Sequence, residues 1–232
     1  MKNNFYFEFQ AEVQAKALLR PVDVLLVGAT GSGKSSTLNS IFGTAVAKIG
    51  QGVEPETQVI SEYGLHDYLR LHDSAGLGDG KGADLRHAKN ITEQLIRTCR
   101  VNGEDYGFID MVLVILDGSS RDLGTAFRLL ESVILKCIDS DRVVVAINQA
   151  DMAMKGRGWN YQTNEPEADL RVFLREQAMS VQKRIRDSTG CTIRLPVNYS
   201  AAHKYHIDGL MRGILAGLPK SRRGVGLSIQ HR

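Results

Sequence analysis

The sequence predicts a three-layer α/β domain with a mostly parallel sheet. The clearest signal is a set of short apolar runs, at residues 22–27, 111–116 and 143–147, each of strand length. Buried parallel strands have this continuous apolar pattern. Longer amphipathic stretches separate the runs, and strands that alternate with helices form βαβ units. With 232 residues, 43% of them hydrophobic, the chain can bury its apolar surface in one core, so we expect one domain rather than two small ones.

The other elements follow in order around these three strands. Residues 11–19 are almost all good helix formers and predict an N-terminal helical extension over 1–20. The main domain then covers 21–218, and a basic tail covers 219–232. Within the domain we predict helices at 34–42, 85–100, 123–138, 166–186 and 206–218, a hairpin at 58–65 and 67–71, and a strand at 192–197. The connections long enough to be functional are 43–57, 73–84 and 151–166.

The composition limits the possible compartments and partners. The longest central apolar run, at 111–116, is far shorter than the roughly 20 residues of a membrane-spanning helix. The N-terminus also lacks the apolar centre of a secretory signal, so we expect a cytoplasmic protein. Cys99, Cys137 and Cys191 have no His or Cys neighbours at metal-ligand spacing, which predicts reduced thiols. A net charge of +3 does not by itself indicate a nucleic-acid partner.

Directly after the first predicted strand, the sequence has the pattern Gly-x-x-x-x-Gly-Lys-Ser. The loop consists of Gly28, Ala29, Thr30, Gly31, Ser32, Gly33, Lys34 and Ser35, and Ser36 follows it. A glycine-rich turn between a strand and a helix lets backbone N–H groups and the helix N-terminus converge on phosphate oxygens. We expect Lys34 to reach the β- and γ-phosphates and the Ser35 hydroxyl to bind Mg²⁺. The pattern alone does not distinguish ATP from GTP.

A second segment suited to phosphate follows the predicted hairpin. Asp73 and Gly76 form the pattern Asp-x-x-Gly. Asp73 would hold Mg²⁺ through water, and the Gly76 N–H group would bond to the γ-phosphate. Most short patterns of this kind are ordinary turns. The Asp-x-x-Gly pattern indicates a phosphate site here only because it follows the phosphate loop in the chain.

Two later segments have the chemistry to select a base. Asn148, Gln149 and Asp151 follow the third apolar run, at the strand end where open α/β sheets bind ligands. Guanine presents two adjacent donors, N1–H and the exocyclic amino group, which one carboxylate can accept, whereas adenine has an acceptor at N1. Asp151 therefore favours guanine. Ser200 and Ala201 follow the last predicted strand, where a backbone N–H group would meet the guanine O6 atom.

In their order and spacing, these segments resemble the motifs of the P-loop GTPases, and within them the Era-like group, particularly its short prophage-associated bacterial members. The resemblance covers residues 22–218 and implies a Ras-like G domain that binds GTP or GDP with Mg²⁺, with a mostly parallel six-stranded sheet and helices on both faces. It also implies that Thr57 is the switch threonine, which would bind Mg²⁺ and the γ-phosphate; Thr44 is the competing candidate. Lys34, Thr57 and Gly76 then form the expected catalytic set.

Three residues depart from the family's patterns. Leu77 stands where Ras-like proteins carry the glutamine that orients the attacking water. We therefore expect a slow GTPase that acts as a nucleotide-dependent switch, and the alternative is a nucleotide-gated binding or assembly module with negligible hydrolysis. Either fits a nucleotide-dependent homodimer or an unidentified protein partner. Gly31 replaces an asparagine of potassium-activated relatives, which argues against potassium stimulation, and Gln149 replaces the usual lysine beside the base.

Three outer segments each have two interpretations. The aromatic residues within 5–9 either pack on the domain or contact a membrane or a partner. The tail at 219–232 has four basic residues and no acidic one, and it is either solvated or in contact with RNA or anionic lipid. The glycine-rich segment 74–82 is either an order–disorder switch or a mobile surface loop.

Overall fold

The computed structural model of the protein describes residues 2–42, 61–74, 81–120 and 124–225. The strands in these ranges are β1 (Val22–Gly28), β2 (Ser61–His66), β3 (Leu69–Asp73), β4 (Thr98–Val101), β5 (Glu104–Gly107), β6 (Met111–Asp117), β7 (Val143–Asn148), β8 (Trp159–Asn160), β9 (Glu165–Pro166) and β10 (Val197–Asn198). The α-helices are α1 (Lys2–Ala15), α2 (Lys34–Phe42), α3 (Lys81–Ile96), α4 (Gly124–Leu129), α5 (Leu135–Cys137), α6 (Ala168–Thr189) and α7 (Ile207–Ala216). None of these helices is long and apolar enough to cross a bilayer.

A six-stranded sheet in the order β10-β7-β6-β1-β3-β2 forms the middle layer. Its strands are parallel except for β2, which runs antiparallel to β3. The predicted α/β class and the mostly parallel sheet are therefore confirmed. In this register Gly28 pairs with Ile115 and Asp117 pairs with Asn148, so the carboxyl ends of β1, β6 and β7 meet at one edge of the sheet.

Helices cover both faces of the sheet because successive strand residues point to opposite sides. In β1, Leu25 and Val27 pack with α3, α4 and α6, whereas Val24 and Leu26 pack with α1, α2 and α7. The N-terminal helix belongs to the second group, and its Phe9 is fully buried. Phe5 and Tyr6 are partly buried beside it and Phe7 is exposed, so three of the four aromatic residues follow the first interpretation and pack on the domain.

The helix predicted at 85–100 ends earlier than expected. Helix α3 stops at Ile96, and the next residues form the β4–β5 hairpin, in which Val101 pairs with Glu104. Asn102 and Gly103 have φ of 53° and 86°, the two positive values that a two-residue type I′ turn needs. The Asn-Gly pair is a strong hairpin signal, so the hairpin was detectable in the sequence.

Two other elements also differ from the predictions. The strand predicted at 192–197 is reduced to Val197–Asn198, since Pro196 has no N–H group to donate to the sheet. The helix predicted at 123–138 is found from Gly124 to Cys137, but a π-helical turn at Leu130–Ile134 interrupts it. The predicted loop at 151–166 contains the β8–β9 hairpin.

The basic tail is folded against the domain as far as it is described. Arg223 donates to the carbonyl oxygens of Ile109, at 3.1 Å, and Cys137, at 3.0 Å. Arg222 donates to the carbonyl oxygen of Ala17 at 2.6 Å. These two arginines are therefore not the solvated charges expected from the sequence: they bind carbonyl oxygens at the end of the sheet away from the phosphate loop.

Candidate functional site

The predicted site residues that the structure describes converge at the carboxyl end of the parallel strands. β1 leads into the phosphate loop and α2, β3 ends at Asp73, and β7 ends at Asn148. The loop that follows β10 carries Ser200 and Ala201. This is the edge at which open α/β sheets bind ligands. Segments far apart in the sequence thus meet in one place.

Two glycines of the phosphate loop have backbone conformations that other residues rarely adopt. Gly31 has φ of +81° and Gly33 has φ of +88°. A Cβ atom on Gly33 would lie 2.2 Å from Asn148 Nδ2, whereas one on Gly31 would have nothing within 4 Å. Gly28 is also tightly enclosed, because a Cβ atom there would lie 2.8 Å from the Ile115 carbonyl oxygen. A side chain at Gly28 or Gly33 would therefore collide with neighbouring atoms, whereas at Gly31 only the positive φ disfavours a residue other than glycine.

Lys34 is buried beneath the phosphate loop. Its Nζ atom donates to the carbonyl oxygens of Gly28, at 2.8 Å, and Ala29, at 3.2 Å. Burial lowers the pKa of the Lys34 ammonium group, and the nearby Asp73 carboxylate opposes this shift. The loop therefore holds a positive charge among its own carbonyl groups, where phosphate oxygens could replace them as partners.

Asp73 and Ser35 have the donor atoms that Mg²⁺ prefers. Burial raises the pKa of Asp73 to about 6, and the Lys34 charge acts against this rise. Asp73 Oδ1 is buried and has no hydrogen-bond partner among the described residues, and the Ser35 residue is exposed. A buried carboxylate oxygen without a partner is destabilising unless a cation or water satisfies it. These residues therefore fit a hydrated divalent cation.

Asn148 connects the phosphate side of the site to the base side. Its Nδ2 atom donates to the Ser32 carbonyl oxygen at 2.9 Å, and its Oδ1 atom accepts from the Ala201 N–H group at 3.0 Å. The neighbouring Gln149 donates from Nε2 to the Gly31 carbonyl oxygen at 2.9 Å. The glutamine that replaces the usual lysine thus contacts the phosphate loop. Two consecutive side chains hold this loop in place.

Contacts between α2 and the loop at 199–206, called the base loop below, are a part of the site that the sequence analysis missed. The Thr37 and Tyr199 hydroxyl groups lie 2.7 Å apart, and both residues are fully buried. Burial raises the pKa of Tyr199. The Ser40 hydroxyl donates to the Ala201 carbonyl oxygen at 2.8 Å. Hydroxyl residues in a helix are common on exposed faces, so no signal in the sequence indicated that Thr37 and Ser40 face the base loop.

Asp151 lies in an aromatic setting at the base end of the site. It is 6% exposed, and its Oδ1 atom has no hydrogen-bond partner in the described ranges. His203 Nε2 lies 3.7 Å from Asp151 Oδ2, and the Trp159 ring lies 5.3 Å from the His203 ring. A buried carboxylate oxygen without a donor is suited to accept N–H groups from a ligand.

The loop after β10 is closed by its own hydrogen bonds. The N–H groups and carbonyl oxygens of Ser200 and Tyr205 bond reciprocally at 3.1 and 3.0 Å. The Ser200 hydroxyl accepts from the His203 N–H group at 3.2 Å. The Ala201 N–H group, predicted to meet guanine O6, donates to Asn148 Oδ1 in this structure. An O6 contact would have to share that donor or use a neighbouring one.

Several predicted site residues cannot be placed. Thr57, its competitor Thr44, Gly76 and Leu77 lie outside the described residues. Their roles stay predictions from the sequence. Ser36 is described: its carbonyl oxygen lies 2.8 Å from the Ser40 hydroxyl oxygen, whose one proton is shared between the Ser36 and Ala201 carbonyl oxygens.

Solved structures with the same fold are nucleotide-binding proteins. Toc33 from Arabidopsis thaliana, solved with GDP and Mg²⁺, superposes with a TM-score of 0.62 at 16% identity, over 97% of this chain and 96% of that one. The LeoA bacterial dynamin GTPase from ETEC gives 0.57 at 13% identity, over 91% of this chain and 38% of that one. A GTP-binding protein from Sulfolobus solfataricus, solved with GDP, gives 0.51 at 16% identity, over 92% and 56%. Identities this low indicate a shared fold only.

Sequence comparison gives the family. The search of curated proteins finds no match to the chain. The family model described as a 50S ribosome-binding GTPase matches residues 23–149, which is more than half of the 232 residues. That range contains the phosphate loop, Asp73 and Asn148, the residues whose contacts build the phosphate side of the site. The chain therefore belongs to the 50S ribosome-binding GTPase family.

Proposed function

We propose that the protein binds GTP and GDP with Mg²⁺, hydrolyses GTP slowly, and acts as a nucleotide-dependent switch. The observation that carries this proposal is the pair of hydrogen bonds made by Asn148, to the Ser32 carbonyl oxygen and from the Ala201 N–H group. These bonds join the phosphate loop to the base loop, so one ligand with phosphate and guanine moieties would contact both. Family membership supports GTP as that ligand.

The phosphate side of the site supports catalysis by positioning and charge stabilisation. Backbone N–H groups of the loop and Lys34 would bind the β- and γ-phosphates. Ser35, with Asp73 acting through water and Thr57 from the switch segment, would hold Mg²⁺, which supplies positive charge to the phosphate oxygens. Gly76 would bond to the γ-phosphate through its N–H group. None of these groups acts as a general base.

Slow hydrolysis follows from Leu77. An aliphatic side chain cannot orient the attacking water, so turnover depends on backbone groups, on a second copy of the chain or on another protein. The same residue motivates the alternative function, a nucleotide-gated binding or assembly module with negligible hydrolysis. Placement within the Era-like group is part of this proposal, because its motif set is the one that the sequence resembles.

Competition binding tests the nucleotide assignment directly. Fluorescently labelled GDP is bound in the presence of Mg²⁺ and displaced by GTP, GDP or ATP, with Lys34→Ala as the control. We expect displacement by both guanine nucleotides at concentrations at least about a hundredfold below that of ATP, because adenine has an acceptor at N1 and no amino group at C2 to donate to Asp151. Equal displacement by ATP and GTP would contradict the guanine assignment.

The hydrolysis rate per mole of protein, measured over a wide range of protein concentration, tests the switch function. A rate that rises with concentration above the Lys34→Ala blank indicates that self-association completes the site. A low but measurable rate at all concentrations supports a slow switch acting alone. A rate equal to the blank throughout would overturn intrinsic hydrolysis and favour the assembly module.

A further inference from the structure

We propose that His203 is a positioning residue for base selection, which holds the Asp151 carboxylate in the plane that meets both donors of guanine. This inference rests on the proposed guanine-nucleotide function and adds a residue that none of the sequence motifs contains. It starts from the position of His203 Nε2, 3.7 Å from Asp151 Oδ2. That distance is too long for a hydrogen bond but short enough for an ion pair.

The Asp151 carboxylate needs an external group to orient it. Its Oδ1 atom has no hydrogen-bond partner among the described residues, and its Oδ2 atom lies 3.7 Å from His203 Nε2, with which it forms an ion pair when the imidazole carries a proton. A carboxylate turns readily about its terminal torsion, whose preferences are broad. One oxygen can accept guanine N1–H in several orientations, but accepting the amino group as well requires the second oxygen to lie in the same plane. A donor on Oδ2 would restrict that rotation.

His203 itself is held in one orientation from several sides. Its backbone N–H group donates to the Ser200 hydroxyl at 3.2 Å, and its Nδ1 atom lies 3.0 Å from Asn164 Oδ1. The rings of Trp159 and Tyr161 lie 5.3 and 5.7 Å from its ring. Nδ1 faces the Asn164 oxygen and Nε2 faces the Asp151 carboxylate, so the ring donates to both acceptors in its imidazolium form. A fixed ring is what a positioning group requires.

The residues that hold His203 come from the loop between β7 and α6. Trp159, Tyr161 and Asn164 lie in or beside the β8–β9 hairpin, whose register pairs Trp159 with Pro166. Trp159 is buried and packs with Leu170 and Leu174 of α6. The hairpin is therefore anchored to the domain core, and it presents its aromatic side chains to the base loop. His203 therefore packs against a side chain that is itself anchored to α6.

The chemistry of the base gives a readout that a loss of folding would not reproduce. The base of inosine nucleotides has N1–H and O6 but lacks the exocyclic amino group. If His203 aligns the second carboxylate oxygen, removing the imidazole weakens GDP binding and leaves IDP binding nearly unchanged. A merely structural defect in the loop weakens both equally. The ratio of the two affinities therefore reports the orientation of Asp151.

The experiment compares GDP, IDP and ADP affinities for the parent protein, His203→Ala and His203→Gln. Binding is followed by the fluorescence of Trp159, the only tryptophan in the chain. We expect His203→Ala to lower GDP affinity about tenfold, the worth of one charge-assisted hydrogen bond, with IDP affinity changed less than about twofold. Glutamine, which also carries an N–H donor, should restore part of the GDP preference. An unchanged GDP-to-IDP ratio in His203→Ala would overturn the proposal.

Two further variants keep the test interpretable. His206→Asn is the matched control, since His206 belongs to the same loop and bonds to the Asn198 carbonyl oxygen instead of Asp151; asparagine tolerates its left-handed backbone. Asn164→Gly removes the side chain that holds the His203 ring and leaves His203 and Asp151 unchanged. Its ratio of GDP affinity to IDP affinity should also fall, so this variant carries the test if His203→Ala fails to fold. A parent protein that binds ADP as well as GDP would reject the proposed function itself.

Discussion

The Tyr199 hydroxyl group lies 2.7 Å from the Thr37 hydroxyl group, in the buried contact between the phosphate-loop helix and the base loop. The Thr37 hydroxyl donates its proton to the Gly33 carbonyl oxygen at 2.8 Å. Tyr199 must therefore be the donor to Thr37. Gly33 belongs to the phosphate loop, and Tyr199 directly precedes Ser200. These two hydrogen bonds therefore connect the phosphate loop to the base loop, as the two hydrogen bonds of Asn148 also do.

Tyr199→Phe should lower both stability and nucleotide affinity. The substitution removes one buried donor and leaves the Thr37 bond to Gly33 intact, so the free energy of unfolding should fall by about 1 to 2 kcal/mol. A double-mutant cycle with Thr37→Val, followed by denaturant unfolding, isolates the contact between the two hydroxyl groups. Additive losses from the two substitutions would show that the 2.7 Å contact contributes no coupling.

Gly31→Ala and Gly33→Ala form a matched pair that separates backbone strain from steric conflict. Both positions have positive φ, so each alanine costs about 1 to 2 kcal/mol of backbone strain. Only the Cβ atom of Gly33→Ala would collide with Asn148, at 2.2 Å from Nδ2. We expect both variants to lose stability in thermal unfolding, and Gly33→Ala alone to lose GDP binding by more than about tenfold, since it displaces the residue that joins the two loops. Equal GDP affinity in the two variants would contradict the joining role of Asn148.

Asp151→Asn should shift base preference from guanine toward xanthine. Xanthine has a carbonyl oxygen at C2 in place of the amino group, and an amide can donate to that oxygen whereas a carboxylate cannot. Competition between GDP and XDP for the variant and the parent measures the change, which should reverse the order of the two affinities. Asn160→Asp serves as a control that also exchanges an amide and a carboxylate, because either side chain accepts from the Gln162 and Thr163 N–H groups. Retained GDP preference in Asp151→Asn would remove Asp151 from base recognition.

The sequence predicted what depends on local pattern and missed what depends on pairing across the chain. The strands β1, β6 and β7 were found because they are buried on both faces and read as uninterrupted apolar runs. The phosphate loop was found because each required residue type falls within eight positions. The contact between Asp151 and His203 joins residues 52 positions apart, and neither residue type indicates its partner. Only the fold brings them together.

The same distinction explains the remaining differences. Charge alone suggested a solvated tail, yet Arg223 binds two carbonyl oxygens left at the ends of other segments. The helix predicted at 85–100 includes the first three residues of β4 (Thr98–Val101), a segment rich in β-forming residues, although the Asn102-Gly103 turn that follows favours a hairpin. Competing local signals of this kind are resolved by tertiary packing, which the sequence does not display.

Asp110→Asn should stabilise the protein at high pH and leave it unchanged at low pH. Asp110 is 2% exposed, and burial raises its pKa to about 7, although the hydrogen bond from the Asp23 N–H group to Asp110 Oδ2 opposes the shift. Because the folded pKa lies above the unfolded value of about 4, the native state keeps a proton that the unfolded chain loses between these values. The resulting stability is fully present below about pH 4 and is lost as the pH rises through about 7.

Asparagine is neutral at every pH and can still accept the Asp23 N–H group, so the variant avoids this loss. At pH 8 its free energy of unfolding should exceed that of the parent by about 2 to 4 kcal/mol, with little difference near pH 4. Urea unfolding at several pH values measures the difference, in which the titration of other groups such as Asp73 cancels. Asp105→Asn, at an exposed carboxylate near Arg100, should show no such trend. A stability difference between Asp110→Asn and the parent that does not change with pH would show that Asp110 is charged in the native protein throughout this range.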